Sequence, residues 1–173
     1  MLGMICYLTE KRGIGSELEE AQSFKEIFAL VQKAVERTLK ESRAGLNLGI
    51  MELGNEKDKF LGAFYPAGSN IIVMNNTPIR RIMETDEALF KPYVFHVLLH
   101  EYLHSLGYLD EATVRRLSHG ICRQLLGDNH TTTQMVANIE KFFPNLIYPE
   151  GFPGNRNNMM LIEDIDDGMD YIG

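Results

Sequence analysis

The apolar residues of this chain follow two rhythms, one of three to four positions and one of two. Phe24, Phe28, Val31, Val35 and Leu39 recur at the spacing of a single helical face, and Ser16 followed by Glu19 has the spacing of a capping box. This pattern predicts a long amphipathic helix from about Glu17 to Glu41, closed by Gly45. The run Leu46-Asn47-Leu48-Gly49-Ile50-Met51-Glu52-Leu53 then reads as a strand. Two short apolar runs, Phe60 to Tyr65 and Asn70 to Asn75, flank Pro66-Ala67-Gly68-Ser69 and predict a hairpin, since proline and glycine supply the backbone angles of a turn. A loop through Pro78 leads to Pro92, which suits the first turn of the next helix.

That next helix, from about Tyr93 to Leu106, is unusual. Val94, Phe95, Leu98, Leu99, Leu103 and Leu106 surround most of its circumference at 100° per residue, so it is expected to be buried. His96, His100, Glu101 and His104 nevertheless share one stripe with Val97 and Gly107. Buried polar groups without partners cost roughly 1 to 3 kcal/mol each, so the stripe must face something that satisfies it. Val114, Leu117, Ile121 and Leu125 mark a further helix from about Glu111 to Leu126, ended by Gly127, and another runs from about Thr132 to Phe143 before Pro144. The expected class is α+β: a mixed sheet with a hairpin packed on an N-terminal helix and a buried central helix, followed by C-terminal helices. Residues 1–149 form one domain in this reading, and residues 150–173, with Glu163, Asp164, Asp166, Asp167 and Asp170, an acidic flexible tail.

Composition narrows the function. With 173 residues, 45% of them apolar and 24% charged, the chain has the make-up of one self-sufficient globular core. A formal charge of −7, with basic residues paired only at Lys11-Arg12, Arg80-Arg81 and Arg115-Arg116, argues against nucleic acid as a partner, because phosphate backbones are bound by clustered cations. The apolar start Met1 to Leu8 is followed by Lys11-Arg12 instead of preceded by a basic segment, so it is a poor signal peptide, and no apolar run approaches the roughly 18 residues of a membrane span. Two cysteines, Cys6 and Cys122, fit a reducing compartment better than a disulfide scaffold. The expected location is the cytoplasm, with no membrane partner.

The chemistry lies in His100-Glu101-Tyr102-Leu103-His104, which matches H-E-x-x-H. Residues four apart project from one helical face a turn apart, so both imidazoles can reach one zinc ion, with Glu101 beside the open coordination position. Two buried histidines can also simply hydrogen-bond their neighbours. Two of them at this spacing, with a glutamate between, favour metal.

The longer stretch His100-Glu101-Tyr102-Leu103-His104-Ser105-Leu106-Gly107-Tyr108-Leu109-Asp110 resembles the zincin metallopeptidases, and within them the H-E-x-x-H-x-x-G-x-x-(H/D) motif of the metzincin branch. The resemblance implies a small zincin-like domain that hydrolyses peptide bonds, with zinc held by His100, His104 and Asp110, and Glu101 activating the attacking water. It implies a peptide or protein substrate, and it makes the strand Asn70 to Asn75 a candidate sheet edge for binding that substrate as an added strand. Met135 is the residue available for the family's Met-turn, although at the start of a helix it reads as core.

Asp110 also reads as an N-cap, with Leu109 and Val114 placed as a hydrophobic staple, and one carboxylate can serve both purposes. Glu111 and His130 compete with it as third ligand. His96 is expected to support the site or pack, and His119 to lie outside it. Cys6 and the acidic tail are each able in principle to block the metal; a buried cysteine and a solvated tail are the simpler readings. Two other functions stay open. One is a zinc endoribonuclease, whose similar H-G-x-x-H-x-x-G-x-x-H motif has glycine where this chain has Glu101. The other is a non-catalytic binding protein stabilised by zinc.

Overall fold

A computed structural model describes residues 13–54, 61–144 and 159–162. Its architecture is α+β, six helices around a small mixed sheet. The predicted long N-terminal helix is two helices, α1 (Ile14–Glu20) and α2 (Phe24–Leu39). The break has a local cause. Ser23, with Glu26 three residues on, is the cap: its Oγ accepts from Glu26 N at 3.1 Å, and Glu26 Oε2 accepts from Gln22 N at 2.6 Å. Ser16, expected in that role, donates its hydroxyl to Gly13 O instead. At the other end Lys40, at φ 60°, is the left-handed cap of α2, and its N–H reaches Glu36 O, so the helix closes before Gly45.

The sheet is built from β1 (Asn47–Met51), β2 (Ala63–Phe64), β3 (Ile71–Asn75) and β4 (Met160–Leu161), in the order β2-β3-β1-β4. The hairpin is present, with β2 antiparallel to β3 through a turn in which Ser69 N reaches Pro66 O at 3.0 Å and Gly68 takes φ 78°. β3 also pairs in parallel with β1, Ile71 opposite Asn47. It therefore lies inside the sheet, and the expectation that Asn70 to Asn75 forms an edge open to an added strand is overturned: both rows of its backbone groups are already paired. β4 lies within the segment expected as an acidic tail and pairs antiparallel with β1, Gly49 opposite Leu161. Next to it Ile162 is buried in the core. The tail's carboxylates from Glu163 onward, and Cys6, lie outside the described residues.

The expected loop after β3 is a helix, α3 (Asn76–Thr85). Asn75 caps it through Thr77 N at 3.1 Å, Pro78 stands in its first turn, and Ile79 and Ile82 turn inward. A 3-10 turn at Glu87–Leu89 leads into α4 (Phe90–Ser105), again with proline, Pro92, in the first turn. α5 spans Glu111–Leu126 as its periodicity predicts, and Gly127 at φ 88° follows it. α6 (Thr131–Ala137) is shorter than expected, because Asn138 caps a new 3-10 turn by accepting from Lys141 N at 3.2 Å.

α4 is the axle of the core. Val94, Leu98, Leu99, Tyr102 and Leu103 are all at 0% exposure, and α2, α5 and α6 pack around the helix. Each such aliphatic side chain contributes roughly 1.5 to 3 kcal/mol by leaving water. Edge-to-face rings join α4 to α2, Phe28 with Tyr102 at 5.7 Å and Phe24 with Phe90 at 5.5 Å. Whatever α4 carries is thus mounted on the most deeply buried helix among the described residues.

Candidate metal centre

His100 and His104 stand one turn apart near the C-terminal end of α4, where the helix emerges from the core. Their side chains are 19% and 15% exposed, and that of Glu111, the first residue of α5, is 62% exposed. The cluster is therefore half sunk in the protein and open on one flank. Three side chains converge there: His100 Nε2 lies 3.2 Å from His104 Nε2 and 3.2 Å from Glu111 Oε2, and His104 Nε2 lies 3.0 Å from Glu111 Oε1.

The proton positions make this convergence informative. His104 Nδ1 is 2.8 Å from the carbonyl oxygen of Tyr108. A carbonyl only accepts, so Nδ1 carries a proton, and in the neutral ring Nε2 is the nitrogen with the lone pair. Burial, the largest influence, together with His104 and Arg115 holds His100 below the usual histidine range against the opposing pull of Glu111, so its ring is neutral near pH 7. Two ring nitrogens and a carboxylate gathered to 3.0–3.2 Å suit a shared positive charge, whether a ring proton or a metal ion. Donors arranged tetrahedrally about zinc at roughly 2.0 to 2.1 Å stand about 3.3 Å apart. Two imidazole nitrogens and a carboxylate oxygen are also a donor set that zinc accepts, so the residues fit the ion.

Asp110 is not part of the gathering. Its Oδ2 accepts from Thr113 N at 2.7 Å as the N-cap of α5, and hydrogen bonds from the Thr113 hydroxyl and then its backbone N–H hold the carboxyl below the usual range. A short side chain drawn back to its own helix leaves the reach across to α4 to the longer one that follows it. Glu111, one of the competitors for the third position, is the carboxylate that meets the two rings. His130, the other, accepts from Thr132 N at 3.2 Å as the cap of α6. It lines a recess with Phe90, Lys91 and Pro92, at the opposite end of α4 from His104.

Glu101 is mostly buried, and desolvation pushes its carboxyl up to about 8, with Glu111 adding to the rise and a backbone hydrogen bond with Tyr65 opposing it. That hydrogen bond sets Glu101 beside the hairpin, one residue past β2. His96 stands half-buried one turn before His100, and its Nδ1, shut off from water, has no hydrogen-bond partner among the described residues. Burial chiefly lowers its pKa to about 4. His119 is half-buried on α5 and outside the cluster, and Met135 is fully buried in the core. Glu41, Arg43 and Tyr65, which brace the centre, have nothing in their local spacing that points to α4, and Tyr108, although inside the motif, acts through a backbone carbonyl that residue type does not reveal.

Among the described residues no helix is long and apolar enough to cross a membrane. Compared with models of protein families, with curated proteins and with solved structures, the chain matches none.

Proposed function

We propose that this chain is a zinc-dependent metallopeptidase with a zincin-like domain, in which His100, His104 and Glu111 hold the ion and Glu101 is the general base. The observation that carries the reading is the convergence of two imidazole lone pairs and a carboxylate beside a buried glutamate. When bound, zinc supplies a Lewis acid that polarises a scissile carbonyl and acidifies water. Glu101 accepts the proton at its carboxylate oxygen and delivers it to the departing amine nitrogen. Burial favours that role, since a carboxyl held near neutrality can both take up and release a proton there. Tyr65 orients Glu101 through the backbone, and Tyr108 orients His104.

The open flank at Glu111 suits short or unfolded peptides, which need not bring a folded surface to the site. β2, paired on one side with β3, is the strand nearest Glu101, and an extended peptide laid along its other side would pass Tyr65.

One comparison tests the assignment: zinc content, then hydrolysis of a mixed peptide library and of single-stranded RNA, by wild type and Glu101→Gln. Peptide cleavage that disappears in Glu101→Gln while zinc stays bound supports the proposal. Failure of the wild type to take up zinc, or RNA cleavage in place of peptide cleavage, would falsify it.

A further inference from the structure

The segment that follows α2 is tied down more firmly than a connection between elements requires. Arg43 makes four hydrogen bonds to two different parts of the fold. Its backbone N–H donates to Tyr102 Oη at 2.8 Å and its Nη1 to Ser105 O at 2.6 Å, both on α4; Nη1 also reaches Tyr65 Oη at 2.7 Å, and Nη2 reaches Ser69 O at 2.7 Å, both in the hairpin. The guanidinium also stacks over the Tyr65 ring, 5.4 Å from its centroid. Two residues earlier, Glu41 Oε1 accepts from the Tyr108 hydroxyl at 2.5 Å. Glu41 is therefore mounted on a fixed support and grips a residue beyond the end of α4.

Tyr108 is the residue whose carbonyl takes the Nδ1 proton of His104. It sits in a turn that begins with Gly107 at φ 103°, a conformation an unanchored chain readily leaves. Its own N–H holds the turn to Leu103 O at 3.3 Å, a long bond. The Glu41 contact adds a second point of attachment at the far end of the side chain. With both ends held, the carbonyl stays where His104 needs it, and Nε2 of that ring keeps its lone pair toward His100 and Glu111.

We infer that Glu41 is a positioning residue for the metal centre: through the Tyr108 hydroxyl and carbonyl it fixes the tautomer and aim of His104. This rests on the reading of His100, His104 and Glu111 as metal ligands. No described residue other than Tyr108 receives a hydrogen bond from, or gives one to, His104 Nδ1, so on that side the ring is aimed through Tyr108.

The test measures zinc affinity by competition with a chromophoric chelator, and the visible spectrum of the protein loaded with Co2+. Tyr108→Phe and Glu41→Ala, confirmed as folded by thermal melts, leave the Tyr108 carbonyl in place and are therefore expected to weaken zinc binding by about 10-fold, the low end of the effect of outer partners, and to alter the cobalt bands. Glu41→Gln, whose amide oxygen still accepts from the phenol, is expected to retain affinity within about twofold. Wild-type affinity and an unchanged cobalt spectrum in both Tyr108→Phe and Glu41→Ala overturn the inference. A wild type that takes up neither metal sinks the metal reading instead, and the ring 15N shifts of His104 in the metal-free protein then decide: an Nδ1–H tautomer that becomes a mixture in Glu41→Ala supports the role of Glu41, and an unchanged tautomer refutes it.

Discussion

Glu111 Oε1 lies 3.0 Å from His104 Nε2, although the residue that the family resemblance puts at the third position is its neighbour Asp110. The two carboxylates do different tasks because they stand on different sides of a helix start. Asp110 precedes the first turn of α5 and turns to Thr113 N, while Glu111 is inside that turn and reaches across to α4.

This division makes the third ligand testable. Glu111→Gln is expected to weaken zinc by at least about 10-fold, since even changes one shell further out cost roughly 10- to 100-fold. Asp110→Asn keeps a capping side chain and is expected to hold zinc within about threefold of wild type. Chelator competition on the two variants reads the difference, and the reverse order of effects would return the assignment to Asp110.

His96 makes the metal-free protein sensitive to acid. Its pKa is lowered from 6.5 to about 4 in the folded chain, chiefly by burial. As pH falls below 6.5 the unfolded chain binds a proton that the folded chain refuses until about pH 4, so the stability this residue contributes declines across that window and levels off below it. The full loss is about 3 kcal/mol. Urea unfolding with a chelator present, at pH 7 and pH 4.5, is expected to show wild type losing stability relative to His96→Leu as pH falls, a comparison in which the opposite contribution of Glu101 cancels; a difference between the two proteins that does not change with pH would remove His96 as its source.

Glu101 acts in the opposite direction. Its carboxyl is raised from 4.5 to about 8, so the folded chain keeps a proton that the unfolded chain has released. That contribution is complete below pH 4.5 and disappears as pH rises through 8. Glu101→Gln, neutral at every pH, is therefore expected to outlast the metal-free wild type at pH 9 by an amount on the order of a few kcal/mol, while abolishing peptide hydrolysis. Equal alkaline stability of the two proteins would contradict the buried placement of this side chain.

The break between α1 and α2 depends on a cap, and the two serines separate cleanly. Ser23→Ala is expected to destabilise the fold by about 1 kcal/mol, the usual cost of removing a cap, whereas Ser16→Ala, which loses only a hydroxyl bond to Gly13 O, is expected to cost less. Denaturant midpoints measure both; a larger effect at Ser16 would mean that the first helix starts there.

Much of the fold was legible because much of it is local. The start and end of α5 follow from Asp110 and Gly127, and the hairpin from Pro66 to Ser69. α3 was legible too and was passed over: Asn75, Pro78, Ile79 and Ile82 together form a cap, a first-turn proline and an inward face. The single long helix failed for a related reason. An apolar stripe continues across a break without a change of period, and only the capping pair Ser23 and Glu26 marks where the axis ends.

By itself the sequence determined that His100 and His104 share a face with Glu101 beside them, because 3.6 residues per turn is a property of the backbone alone. It determined equally that this face belongs to a buried helix, because the apolar residues of α4 leave no other side for water. The tertiary structure decided which carboxylate meets the two rings, how β3 came to lie between β2 and β1, and that Glu41 and Arg43 reach the end of α4. Those relations depend on how separate elements pack, and periodicity along a chain carries no record of the distance between one helix and another.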